Sequence, residues 1–142
     1  MPVETTTETL REYMKALLAF GDFARYLADD VTMSFMGTDR AVRGREAVCQ
    51  TITFIHAQAF KTNINVKMLV CGDGHAMAEA EFIGTHIGVF EGIPATQRAV
   101  DVPYSIAYDV KGNQITALRA YFPMELLISQ LTAGQEKSRQ TA

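Results

Sequence analysis

The chain has 142 residues, 48% hydrophobic and 20% charged, with a net charge of -3. That length suffices for one well-buried core and is too short for two ordinary domains, so a single domain spanning residues 1–142 is expected. The slight acidic excess removes the electrostatic reason to bind a phosphate backbone, and nucleic acid is not expected as a partner.

A first helix is predicted over Thr5 to Phe20, where Leu10, Met14, Leu17 and Leu18 recur at helical spacing and Thr5 with Glu8 has the form of a capping box. Gly21 ends it. Asp22 is placed to cap a second, short helix from Phe23 to Leu27, and Ala28-Asp29-Asp30 then turns the chain into a strand from Val31 to Met36. A third helix is predicted over Gly44 to Phe60, with Val48, Ile52, Ile55 and Ala59 on one face. Beyond it the period changes to two. Asn63 to Cys71, Ala76 to Gly88, Ala99 to Val110 and Ile115 to Phe122 read as strands, with tight turns at Gly72-Asp73-Gly74 and Gly112-Asn113. Pro123 opens a short C-terminal helix from Met124 to Leu131, and residues 132–142 form a polar tail expected to fray. This order is α+β, with helices gathered on one face of a curved antiparallel sheet of about four to six strands.

Cys49 and Cys71 lack the close spacing of a metal or redox pair, and the opening MPVETTTETL has neither the basic nor the apolar part of a leader. A reduced, cytoplasmic protein is expected. No apolar run approaches the roughly 20 residues that span a bilayer, so a membrane is not expected as a partner. His56, His75 and His86 are scattered, and no glycine-rich phosphate loop is present. Neither a metal nor an organic cofactor is expected.

The run from Gly84 to Arg98, GTHIGVFEGIPATQR, resembles the GTHxGxFxGIPxTxR segment of the SnoaL-like polyketide cyclases and ester cyclases. Gly21-Asp22 with Ala28-Asp29-Asp30-Val31, the stretch Val42 to Val48, Gln114-Ile115 and Leu127 to Leu131 resemble further segments of the wider superfamily. The resemblance implies the nuclear-transport-factor-2-like fold, a cone of sheet and three helices around one apolar pocket. It also implies a homodimer built on the convex sheet face. In that family an acid/base Asp stands on the last strand, with a His or Asp facing it from the strand before; the matching positions here are Ala120 and Ile106. For the related ketosteroid isomerase, the matching positions of its Asp base and oxyanion-hole Tyr and Asp are Phe35, Met14 and Ser105. None of these can transfer a proton in the family's manner.

Alternation places Val100, Val102, Tyr104, Ile106, Tyr108 and Val110 on the inner face of one strand. A bulge at Asn113 would set Leu118, Ala120 and Phe122 opposite Tyr108, Ile106 and Tyr104. The expected ligand-binding wall is Met14, Phe35, Phe54, Tyr104, Ile106, Ala120 and Phe122, suited to a flat apolar molecule or simply to filling a core. Glu79 and Glu81 share a strand face with Met77 and Ile83. If that face is concave, they are catalytic candidates whose burial would raise a pKa toward neutrality; if convex, they are a solvated pair. His86 fits a bond to its own loop, His56 could reach the pocket mouth, and His75 fits a solvated turn.

Two functions follow. One is a SnoaL-like enzyme doing cofactor-free proton-transfer chemistry on a hydrophobic polyketide- or steroid-like molecule, through Glu79 or Glu81. The other is a non-catalytic binding or assembly module that has lost the acid/base.

Overall fold

The longest alternating run in the sequence becomes the strand around which the sheet is organised. In the computed structural model, which describes residues 2–141 and side chains through residue 133, β6 (Ala99–Lys111) pairs antiparallel with β5 (His75–His86) on one side and β7 (Gln114–Tyr121) on the other. β5 then pairs with β4 (Asn65–Cys71) along its first half and β3 (Phe60–Thr62) along its second. Beyond β7 lie β1 (Leu27–Phe35) and the short β2 (Ala41–Arg43), giving seven strands in one curled, half-barrel sheet. β1 runs parallel to β7, so the expected antiparallel sheet contains one parallel pair. That pair is possible because the whole sheet-forming half of the chain separates the two strands in sequence.

The elements differ from the sequence reading mostly at their ends. Helix α1 (Val3–Leu18) begins before Thr5, with Pro2 at its N-cap, so the Thr5/Glu8 box lies inside the helix and makes no cap bond. The second helix is a single 3₁₀ turn, Ala24–Tyr26. Ala28-Asp29-Asp30 is part of β1 rather than a turn: Leu27, Ala28 and Val31 are buried while Asp29 and Asp30 point outward. Helix α2 (Arg45–Thr53) does not run on to Phe60 but widens into a π-helical stretch, Phe54–Ala59. β2 was not anticipated, being three residues long and mostly exposed. Helix α3 (Met124–Thr141) extends the expected C-terminal helix along the backbone. Most of the tail expected to fray has side chains outside the described set.

The core sits in two lobes on the concave face. In the first, Leu10 and Tyr13 of α1 and Val48 and Ile52 of α2 pack on Ala76, Ala78, Tyr108 and Leu118 of the sheet. In the second, Leu127 and Leu131 of α3 join Phe60, Phe82, Phe90, Val100 and Val102. Each fully buried leucine contributes about 1.5–3 kcal/mol relative to exposure. Gln130 adds a polar anchor, its amide exchanging bonds of 2.9 Å with both backbone groups of Asp101.

Candidate active site

Two cavities adjoin on the concave face. The larger, about 590 Å³ and open to solvent, is walled by Phe35, Phe54, Ile55, Phe90, Ala120, Phe122 and Met124, with Asp39, Arg40 and Glu91 at its rim. The smaller, about 40 Å³, lies between α1, α2 and the sheet, bordered by Tyr13, Met14, Met33, His56, Tyr104, Ile106 and Tyr108 among others. The seven wall residues expected from sequence therefore divide. Phe35, Phe54, Ala120 and Phe122 line the larger volume, and Met14, Tyr104 and Ile106 the smaller.

The division follows from strand register. Ile106 stands opposite Ala120 and Tyr108 opposite Leu118, as expected, but the irregularity that sets this register falls between Ile115 and Ala117 rather than at Asn113. The turn itself is tight, with Lys111 paired to Gln114. Tyr104 and Phe122 meet across the boundary, ring centroids 5.4 Å apart, and Phe82 stacks edge-on against Phe122 at 5.5 Å.

The loop between β5 and β6 closes one side of the larger cavity, and its residues explain the sequence pattern. A Cβ on Gly84 would stand 2.7 Å from the Lys61 carbonyl oxygen, and one on Gly88 would stand 2.5 Å from that of Gln58. Only glycine permits that approach. The amide of Thr96 donates to Nδ1 of His86 at 3.1 Å. An amide N–H can only donate, so the neutral ring carries its proton on Nε2, which is buried with no described partner. His86 is thus the loop's internal tie. At the loop tip Glu91 takes a positive φ of 50° in the tight turn Phe90 to Ile93 and meets Arg40 of the facing β1–β2 connection in a two-pronged ion pair, one arm 2.9 Å. The Arg40 guanidinium holds the Glu91 carboxyl below its usual range.

The smaller cavity has a different chemistry. His56 Nδ1 lies 2.8 Å from the Ile52 carbonyl oxygen, which can only accept, so the ring proton sits on Nδ1 and Nε2 keeps its lone pair. Burial pushes the imidazole pKa down, against the smaller opposing effect of that bond, so the ring is neutral at neutral pH. Three phenols line the same cavity. Tyr104 is pushed up to about 12 by burial; Tyr13 and Tyr108 are raised further, by burial first and then by neighbouring phenols, with Cys49 also acting on Tyr13. His86 Nε2 is the sealed, unpartnered side-chain atom among the described residues; His56 lines both the smaller cavity and a further pocket on the outer side of the helix. Of the described residues, no group of three or more His, Cys, Asp or Glu is arranged to hold a metal ion.

Comparison with known proteins decides the family. The family model for SnoaL-like polyketide cyclases matches residues 8–131. The chain belongs to this family. No curated protein matches the sequence at a significant level. Among solved structures, one assigned as a SnoaL-like polyketide cyclase from Jannaschia sp. CCS1 has a TM-score of 0.83 at 18% identity, covering 94% of this chain and 96% of its own. Another, assigned as a polyketide cyclase from Silicibacter sp. TM1040, has 0.79 at 20%, covering 92% and 97%. A third, assigned as a ketosteroid isomerase from Kribbella flavida, has 0.67 at 16%, covering 85% and 79%. At these identities the likeness shows the shared fold.

Within this SnoaL-like domain the two sequence-nominated carboxylates stand apart from both cavities. Ala78, Ala80 and Phe82 take the buried face of β5, which leaves Glu79 exposed and Glu81 partly exposed on the convex side, where Asn65 Nδ2 donates to Glu81 at 2.9 Å. Entry of a carboxylate into the cavity, the condition for their catalytic role, is not met. The reason is hydrophobic: small and aromatic side chains on one face outweigh methionine and isoleucine beside two charges on the other. The convex face also carries Arg119 bonded to Asp109 at 2.9 and 3.1 Å, with His75 at 3.0 Å from the same carboxylate. What the sequence reading undervalued was His56; the signal was its place one turn beyond Ile52 on an apolar helix face.

Proposed function

We propose that the chain is an enzyme performing cofactor-free proton-transfer chemistry, such as cyclisation, isomerisation or epoxide opening, on a hydrophobic polyketide- or steroid-like small molecule. The observation that carries this reading is the larger cavity. Its volume of about 590 Å³ lies within the range of ligand sites, about 300–1,000 Å³, and aromatic walls with a charged rim suit a flat apolar body bearing a polar edge. A hydroxyanthraquinone, followed by its visible absorbance, tests it. Saturable binding is expected, weakened at least tenfold by Ala120→Trp, a loss of about 1.4 kcal/mol. An absence of saturable binding, or an Ala120→Trp variant that binds as wild type does, overturns the assignment.

A second reading, a binding or assembly module without catalysis, is favoured by one observation: Ala120 and Ile106 border the cavities at the positions where the resemblance puts the acid/base pair. Ligand binding with no proton transfer to any bound ketone would select it.

A further inference from the structure

Resting on the enzymatic reading above, we propose that His56 is the proton acceptor of this site, and that the smaller cavity is a subsite for one oxygen-bearing tip of the ligand whose apolar body fills the larger cavity. The residue stands on the π-helical stretch, where a widened turn separates two tasks along adjacent positions: Phe54 and Ile55 line the larger cavity, and His56 borders the smaller one. Widened turns of this kind are frequent at functional sites.

The smaller cavity has room for about one water-sized group. A ring does not fit there; a carbonyl or hydroxyl oxygen does. His56, whose lone pair is on Nε2, and the phenols Tyr13, Tyr104 and Tyr108 line that volume, a set matched to an enolisable ketone. In the step, the C–H bond beside the carbonyl breaks, its proton goes to Nε2, and its electron pair moves through the new C=C bond onto the carbonyl oxygen. A phenol O–H then donates to that enolate oxygen. The Ile52 carbonyl holds the ring in the tautomer the step requires and accepts a bond from the imidazolium that forms.

Among the residues lining the smaller cavity the imidazole is the only base: Tyr13 comes from α1, and Tyr104 and Tyr108 from β6. Cys49 of α2 and the carboxylate of Asp22, in the α1–β1 connection, border a separate outer pocket that His56 also lines. Neither lining includes a lysine or arginine. The phenols keep their protons to well above neutral pH and so serve only as donors.

The test uses β-tetralone, a flat apolar ketone, and follows exchange of its α-protons in heavy water by NMR. The wild-type protein is expected to accelerate exchange over buffer. His56→Gln should lower the rate by at least about 100-fold, the usual range for a positioned base, with tetralone binding changed less than threefold. Tyr104→Phe should lower it by about tenfold, and Glu79→Gln with Glu81→Gln should leave it unchanged. As a measurement that needs no variant, the imidazole nitrogen resonances of the wild type should show Nε2 of one histidine, unprotonated at neutral pH, shifting on addition of tetralone. Hydroxyanthraquinone binding that responds to Ala120→Trp, together with no exchange, an unaltered rate in His56→Gln or unmoved histidine resonances, overturns the role of His56 alone. Loss of hydroxyanthraquinone binding as well overturns the larger-cavity reading with it.

Discussion

Gly88 and Glu79 mark the two extremes of what a single side chain does in this protein. At Gly88 a methyl group has nowhere to go, since the nearest atom is a backbone carbonyl oxygen 2.5 Å away rather than a movable side-chain end. Gly88→Ala is expected to destabilise by about 1–3 kcal/mol, the cost of overpacking, read as a lower midpoint in urea unfolding with an unchanged slope. Glu79→Gln changes an exposed group that no buried partner needs, and its effect should stay within about 0.5 kcal/mol. A large loss from Glu79→Gln would mean that the convex face makes a contact the monomer does not contain. His56 lies between these cases. Its folded-state pKa is depressed, so its contribution to stability is present above the ordinary imidazole range and lost as pH falls through the lowered value. The stability difference between wild type and His56→Gln should accordingly change with pH on the acid side of neutrality and be flat above it.

At the scale of elements, the loop between β5 and β6 is the part that couples the family signature to the site. His86 receives the Thr96 amide while its own backbone N–H donates to the Arg98 carbonyl and its carbonyl accepts from Gln97, so the loop's two ends are fastened at one residue. Phe90 and Glu91, the residues it delivers to the larger cavity, depend on that fastening. His86→Ala should leave the Thr96 amide unsatisfied, at about 1–3 kcal/mol. Hydrogen exchange should report faster exchange at Thr96 and Gln97 while the amides of β6 stay protected. Equal acceleration across β6 would show a role in the whole sheet instead. The charged rim belongs to this scale too: the Arg40–Glu91 pair joins the loop to the β1–β2 connection across the cavity mouth.

For the whole molecule, the buried phenols of Tyr13 and Tyr108 and the half-buried one of Tyr104 set an alkaline limit. Each has a folded-state pKa raised above its unfolded value, so the stability it contributes is fully present below about pH 10, the reference phenol value, and is lost as pH rises through the folded values. Tyr104, at about 12, should ionise first of the three. Tyrosinate absorbance from these residues is expected to appear together with loss of helical ellipticity; ionisation in a still-folded chain would contradict their desolvation. The convex face carries Met68, Val70, Met77 and Tyr121, all exposed. We propose that a second copy of the chain covers this face, since exposed apolar side chains of β4, β5 and β7 gather there on neighbouring strands. Sedimentation should show a dimer at micromolar concentration, and Val70→Lys with Met77→Lys should return it to monomer.

The local periodicities were sufficient for the α+β order, the concave face of β6 and its pairing across Gly112-Asn113, because a period of two and a turn-forming pair are properties of adjacent residues. The glycine and proline pattern from Gly84 to Arg98 was sufficient for the family, because it records contacts so close that few other residues satisfy them. Other features were decided only by the assembled fold. Which face of β5 is concave depended on the summed burial of Ala78 in the lobe under α1 and α2, Phe82 in the lobe under α3 and Ala80 between them, and that sum placed Glu79 and Glu81 outside. The parallel β1–β7 pair, the widening of α2 at Phe54 and the separation of one expected pocket into two volumes are likewise tertiary. His56 became a candidate only when Ile52 took one of its nitrogens and the phenols of α1 and β6, distant in sequence, came to line the same cavity.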